Sequence, residues 1–195
     1  MKENEVVYKF ILYLDLDGVL TSNNYIEMIH KVFVNKKDKN FHYRNIFQQY
    51  MFQEEGINCL NALYNIIPYT IIISSTRRFE FTPSEWNFLF KLNGIKAYVG
   101  GRTDCYSKNK EHKFSWREDE IEKYHFIDGG MFSFKHLPFI IIDDDTFDLH
   151  KYEDKLVNVK TKTGLTMDYL DEILDKLKLQ GVDIDEQKRK NIQEN

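Results

Sequence analysis

Two carboxylates spaced i, i+2, Asp15 and Asp17, close the apolar run from Phe10 to Leu14 and are followed at once by Gly18. Acids this close repel one another unless a cation or a shared proton sits between them. The pair therefore points to a nucleophile and an acid/base group working on a magnesium ion. An ordinary Asp-Gly turn between strands is the alternative that this motif alone leaves open. Two further stretches narrow the choice. The run Tyr69 to Ile73 ends in Ser74, Ser75, Thr76, Arg77 and Arg78, and the run Phe139 to Ile142 ends in Asp143, Asp144 and Asp145. Acids for a metal, hydroxyls for a phosphoryl oxygen and arginines for its remaining charge make up the inventory of a phosphate-and-magnesium site.

These residues converge only if the three apolar runs are neighbouring parallel strands, whose ligand crevice lies outside their carboxyl ends. The rest of the chain supports that arrangement. Helical spacing or capping signals predict helices over 23–34, near 43–54, from Ile57 to Ile67 before Pro68, over 83–93 behind the capping box Thr82-Pro83-Ser84-Glu85, from Ser115 to about Tyr124, and over 166–179. Short strands are expected at 95–99, ended by Gly100 and Gly101, and at 156–159. Residues 126–137 read as irregular. Strands alternating with helices predict a three-layer parallel α/β domain. Its expected extent is 1–180, with a small helical insertion at about 22–55 and a polar tail over 181–195 that is a frayed helix or disordered.

Composition excludes several classes. The chain has 195 residues and a net charge of −4, so no global pull toward polyanions exists, and nucleic-acid binding would need a local patch such as the basic loop 102–114 with Lys108, Lys110, His112 and Lys113. Cys59 and Cys105 stand apart, without metal-ligand spacing, as expected of thiols in a reducing compartment. The first residues lack a signal-peptide core and no stretch approaches a membrane span, which leads to the expectation of a soluble, cytoplasmic protein without a membrane partner.

Taken together, the motifs resemble the haloacid dehalogenase (HAD) superfamily of phosphohydrolases. Asp15-Leu16-Asp17-Gly18-Val19 looks like its first motif, Ser74 after Ile71 to Ile73 like its second, and Asp143-Asp144 after Phe139 to Ile142 like its fourth. For the third, a lone basic residue, Arg117 is favoured because it falls in the first turn of the helix before the last motif strand. Arg117 to Ile121, the doubled serines and Thr163-Gly164-Leu165-Thr166 are further similar to small HAD domains of nucleic-acid repair proteins.

The resemblance implies a HAD-like, Rossmann-like sheet and assigns roles. Asp15 would attack phosphorus and become an aspartyl-phosphate, and Asp17 would protonate the leaving oxygen and then deprotonate a water. Mg2+ would be held by Asp15, by the backbone carbonyl of Asp17 and by Asp143 or Asp144. Ser74, with Ser75 as its alternative, and Arg117 would hold phosphoryl oxygens, with Arg77 free for the substrate or leaving group. An acid at Asp17 marks phosphatases and phosphomutases and is lacking in dehalogenases of the superfamily. Between Asp17 and Ser74 only ~35 residues remain beyond a packing helix, enough for a two-helix flap and not for a large lid. A reduced cap is similar to members acting on macromolecular phosphates or nucleotides. The expected function is thus a Mg2+-dependent phosphatase of nucleic-acid ends or nucleotides. Alternatives are a phosphatase of a small metabolite or phosphoprotein, and a non-enzymatic module resembling response-regulator receivers, against which the motif order argues.

Overall fold

A computed structural model describes residues 8–34, 51–106, 116–128 and 134–193. Five strands, β1 (Phe10–Leu14), β2 (Tyr69–Ile73), β3 (Tyr98–Arg102), β4 (Phe139–Asp143) and β5 (Leu156–Asn158), form one all-parallel sheet in the order β3-β2-β1-β4-β5. The runs Phe10–Leu14, Tyr69–Ile73 and Phe139–Asp143 are buried at every position. That is why they read as continuous apolar runs rather than alternations: a parallel sheet covered on both faces has no wet side. One face carries Leu12, Leu14, Ile71, Ile73, Ile140 and Ile142, the other Ile11, Tyr13, Ile72 and Ile141.

Five α-helices bear on the site or its frame: α1 (Asn23–Val34), α2 (Glu54–Ile66), α3 (Pro83–Leu92), α4 (Arg117–Glu122) and α5 (Leu170–Leu179). Leu60 and Leu63 of α2, Trp86 and Phe90 of α3, and Ile173, Leu174 and Leu177 of α5 pack on the first face. Ile121 of α4 packs on the second, with Leu149 and Tyr152. The capping box opens α3 as expected, with Thr82 Oγ1 accepting from the Glu85 amide at 3.3 Å and the Thr82 amide donating to Glu85 Oε2 at 2.7 Å.

The strand order separates two readings left by the motifs. The chain steps outward from β1 to β2 and β3, then returns to β1's other side for β4 and β5, so the topological switch lies between β1 and β4. Receiver domains use the order 2-1-3-4-5 instead. Several local expectations need correction. The third strand lies at 98–102, not 95–99: its glycine pair is inside it, where a bulge opposite Ile71 and Ile72 lets the strand continue. A Cβ on Gly100 would crowd Thr70 Oγ1, and one on Gly101 would collide with the Tyr124 hydroxyl, which gives both glycines a packing reason.

Residues 51–53, expected to end a helix, have no regular secondary structure, Gln53 being extended, and the remainder of that helix (43–50) lies outside the described residues. So do Ser115, Lys108, Lys110, His112 and Lys113. The helix through Glu122 continues as a π-helical turn over Lys123–Asp128, past the expected end near Tyr124 and into the first residues of the stretch read as irregular. The tail carries a sixth helix, α6 (Glu186–Gln193), which Arg189 ties to Asp171 of α5 at 2.6 Å. No helix among the described residues is long and apolar enough to cross a membrane.

Candidate active site

Strand register brings the motif residues to one level. Leu14 pairs with Ile73 on one side and Ile142 on the other, so Asp15, Ser74 and Asp143 arrive side by side where the strands end. The backbone continues the ladder one residue further: the Asp15 amide donates to the Ile142 carbonyl at 3.0 Å and the Ser74 amide to the Leu14 carbonyl at 2.9 Å. The cleft above these ends is lined by Asp15, Asp17, Arg77, Asp144, Asp145 and Arg117, among others.

Asp15, Asp143 and Asp144 each offer a carboxylate oxygen, and these oxygens all lie within 4.8 Å of one another. Asp15 and Asp143 are buried. Burial, followed by repulsion from Asp143, pushes the Asp15 carboxyl up to about 7, against the pull of Arg117, the Ser75 hydroxyl and the Leu16 amide. Burial likewise raises Asp143 to about 6, against Arg117 and the Asp145 amide, with Asp144 adding repulsion. Two buried acids that resist ionising, joined by a third, form a hard-oxygen set fitted to Mg2+. Gly18 makes room for it. At φ 77° it occupies the left-handed region, and a Cβ there would collide with the Asp144 carboxylate.

Arg117 supplies the fixed cation. Its Nη1 contacts Asp143 Oδ2 and lies 3.9 Å from Asp15 Oδ1. The guanidinium reaches this place because the helix it opens is capped by a residue from another loop. The Arg117 amide donates to Asp148 Oδ2 at 2.9 Å and the Glu118 amide to the Asp148 carbonyl at 3.1 Å. Asp17 is arranged differently. Its side chain is 54% exposed, and Oδ1 accepts from Thr21 Oγ1 at 3.2 Å and from Arg77 Nη1 at 3.3 Å. Arg77 also donates from Nε to Glu80 Oε2 at 3.0 Å. The Asp17 carboxylate is outside the three-acid group, so a bond from Asp17 to a metal would have to come from its backbone carbonyl.

Of the two serines, it is the Ser75 hydroxyl that helps hold the Asp15 carboxyl down, and its Oγ accepts from the Arg77 amide at 3.3 Å. Ser74 Oγ is buried and has no hydrogen-bond partner among the described residues. Thr21 and Glu80 are not legible in the sequence for these contacts, whereas Asp148, five residues past Asp143, reads there as either an acid supporting the site or a surface residue.

Residues 11–170 match the family described as the HAD domain in Swiss Army Knife RNA repair proteins, and the chain belongs to that family. No curated protein and no solved structure matches the chain. Membership places the chain among phosphohydrolase-type domains and agrees with the five-stranded parallel sheet and with the acidic cluster at its strand ends.

Proposed function

We propose that this HAD domain is a Mg2+-dependent phosphatase that removes a phosphate from nucleic-acid ends, RNA ends first, through an aspartyl-phosphate on Asp15. The observation that carries the reading is the meeting of Asp15 with Asp143, Asp144, Arg117 and Ser75 at one strand level, with Asp17 two residues on at the cleft wall. The family's setting in RNA repair favours the polynucleotide.

An Asp15 carboxylate oxygen attacks phosphorus while the bond to the leaving oxygen breaks, and Asp17 delivers its proton to that oxygen. Asp17 then takes a proton from a water whose oxygen attacks the same phosphorus. The bond to Asp15 breaks, and inorganic phosphate leaves with both acids restored. Arg117 and the Ser75 hydroxyl hold phosphoryl oxygens, the Ser75 assignment following from its contact with Asp15. Arg77, which already bridges Asp17 and Glu80, keeps the acid oriented. A Mg2+ held by Asp15, Asp143 or Asp144 and the Asp17 carbonyl would supply the charge that offsets repulsion between an anionic nucleophile and an anionic phosphate. Positioning and charge are the main demands of phosphoryl transfer.

Phosphate release should be followed on 3′- and 5′-phosphorylated RNA and DNA oligonucleotides, mononucleotides, sugar phosphates and phosphopeptides, with Mg2+ and after EDTA. Release that depends on Mg2+ and ranks an RNA end first is expected. Undiminished turnover in EDTA would overturn the mechanism, and a sugar phosphate ranked first would transfer the reading to a small metabolite.

A further inference from the structure

We propose that Phe147, backed by Trp116, is a stacking platform for the base of the nucleotide that carries the scissile phosphate. The inference rests on the phosphatase reading for its setting and adds a base-binding subsite to it. Phe147 is 71% exposed, more than any other exposed aromatic residue described. It is not a loose surface ring. Its ring stacks on the Trp116 indole, with centroids 5.9 Å apart and planes inclined by 29°. Its amide donates to Asp145 Oδ1 at 2.9 Å, which fixes the turn that presents it. One face of the ring is thus occupied by the indole, while its exposure leaves π-surface open to solvent.

Both rings belong to residues adjacent in the chain to the frame of the reacting centre. Trp116 immediately precedes Arg117, whose guanidinium contacts Asp143 and approaches Asp15. Phe147 lies two residues beyond Asp145, which lines the cleft, and immediately precedes Asp148, which caps the Arg117 helix. The two segments are therefore joined twice, by the ring stack and by the Asp148 cap, next to the cleft-lining residues Arg117 and Asp145. A pre-stacked aromatic pair with open π-surface beside a phosphate-binding arginine matches a nucleotide. The phosphate goes to the cation and the base to the ring, and stacking tolerates any base because every base has a π-face.

The test reads binding, so that it stands apart from turnover. The Asp15→Asn protein, which cannot form the covalent intermediate, is titrated in Mg2+ against two end-labelled, terminally phosphorylated RNA oligonucleotides. They are identical except that the phosphate-bearing nucleotide is intact in one and abasic in the other, and both 3′ and 5′ versions are run. The intact end should bind roughly tenfold tighter than the abasic one, as expected of one stacked base. That ratio should fall to about one when Phe147→Ala is added and be kept by Phe147→Tyr. Equal binding of intact and abasic ends, a ratio that Phe147→Ala leaves in place, a ratio that Phe147→Tyr fails to keep, or no binding of either oligonucleotide would each overturn the platform. If the wild-type protein hydrolyses no phosphate ester while the ratio behaves as stated, the phosphatase reading fails and the base subsite stands. If it hydrolyses sugar phosphates while intact and abasic ends bind equally, the reverse holds.

Discussion

Asp15→Asn should abolish turnover and, in the metal-free protein, raise stability. Asp15 is 4% exposed, and its carboxyl is moved from 3.8 to about 7 by burial and by Asp143. A folded-state pKa raised above the unfolded one means that the native protein pays to ionise this group. The cost is complete above pH 7 and is relieved as pH falls toward 3.8. Ionising it in the folded protein therefore costs on the order of 4 kcal/mol at pH 8 and about 1–2 kcal/mol at pH 5. Asparagine removes the charge while keeping the shape, but weakens the bond with Ser75, which offsets ~1 kcal/mol of that gain. The variant should therefore be more stable than wild type by about 2–3 kcal/mol at pH 8 in EDTA, and by a small margin near pH 5. Urea unfolding of both proteins at the two pH values measures the difference, in which titrating groups remote from Asp15 cancel while Asp143, which repels Asp15, contributes together with it. Saturating Mg2+ should reverse the order by stabilising wild type more than the variant. A variant less stable than wild type at pH 8 in EDTA, or a difference that does not shrink toward pH 5, would refute the view that Asp15 is a strained carboxylate waiting for a cation.

Other groups lead to separate expectations. His125 is buried, its Nδ1 3.1 Å from the Tyr13 hydroxyl, and burial lowers its pKa to about 4. A histidine held neutral contributes stability above its unfolded value of 6.5 that is lost as pH falls toward 4. His125→Gln should accordingly flatten an acid-side loss of ~2 kcal/mol between pH 7 and pH 5 in urea titrations, and an unchanged slope would count against it. Gly18→Ala places a methyl group against the Asp144 carboxylate in a left-handed backbone position. We expect at least a tenfold loss of phosphate release, with weaker Mg2+ dependence, while the melting temperature falls only a few degrees; full activity would show that Asp144 need not stay where it is.

The central strands were legible because burial on both faces writes them as unbroken runs, and their ends were legible because carboxylates and arginines stand out after such runs. What the side chains face was harder to read. Ser74 and Ser75 differ by one residue just past a strand end, where the alternation of the strand no longer governs direction, so the contact between Ser75 Oγ and the Arg77 amide could not be read from the run. Arg117 could be named from its type and its place on a helix, but its position depends on Asp148, 31 residues further on, which caps that helix from the loop after β4. A cap made within one segment leaves a local signature, as Thr82 and Glu85 do; a cap made between two segments leaves none. The same loop bears Asp144 and Phe147 and directly follows Asp143, so the bond that hides Arg117's position from sequence reading also couples its guanidinium to the acidic cluster and to the exposed ring. Strand ends bring Asp15 and Asp143 to one level, and the cross-loop cap ties the helix that begins at Arg117 to the segment that follows those acids.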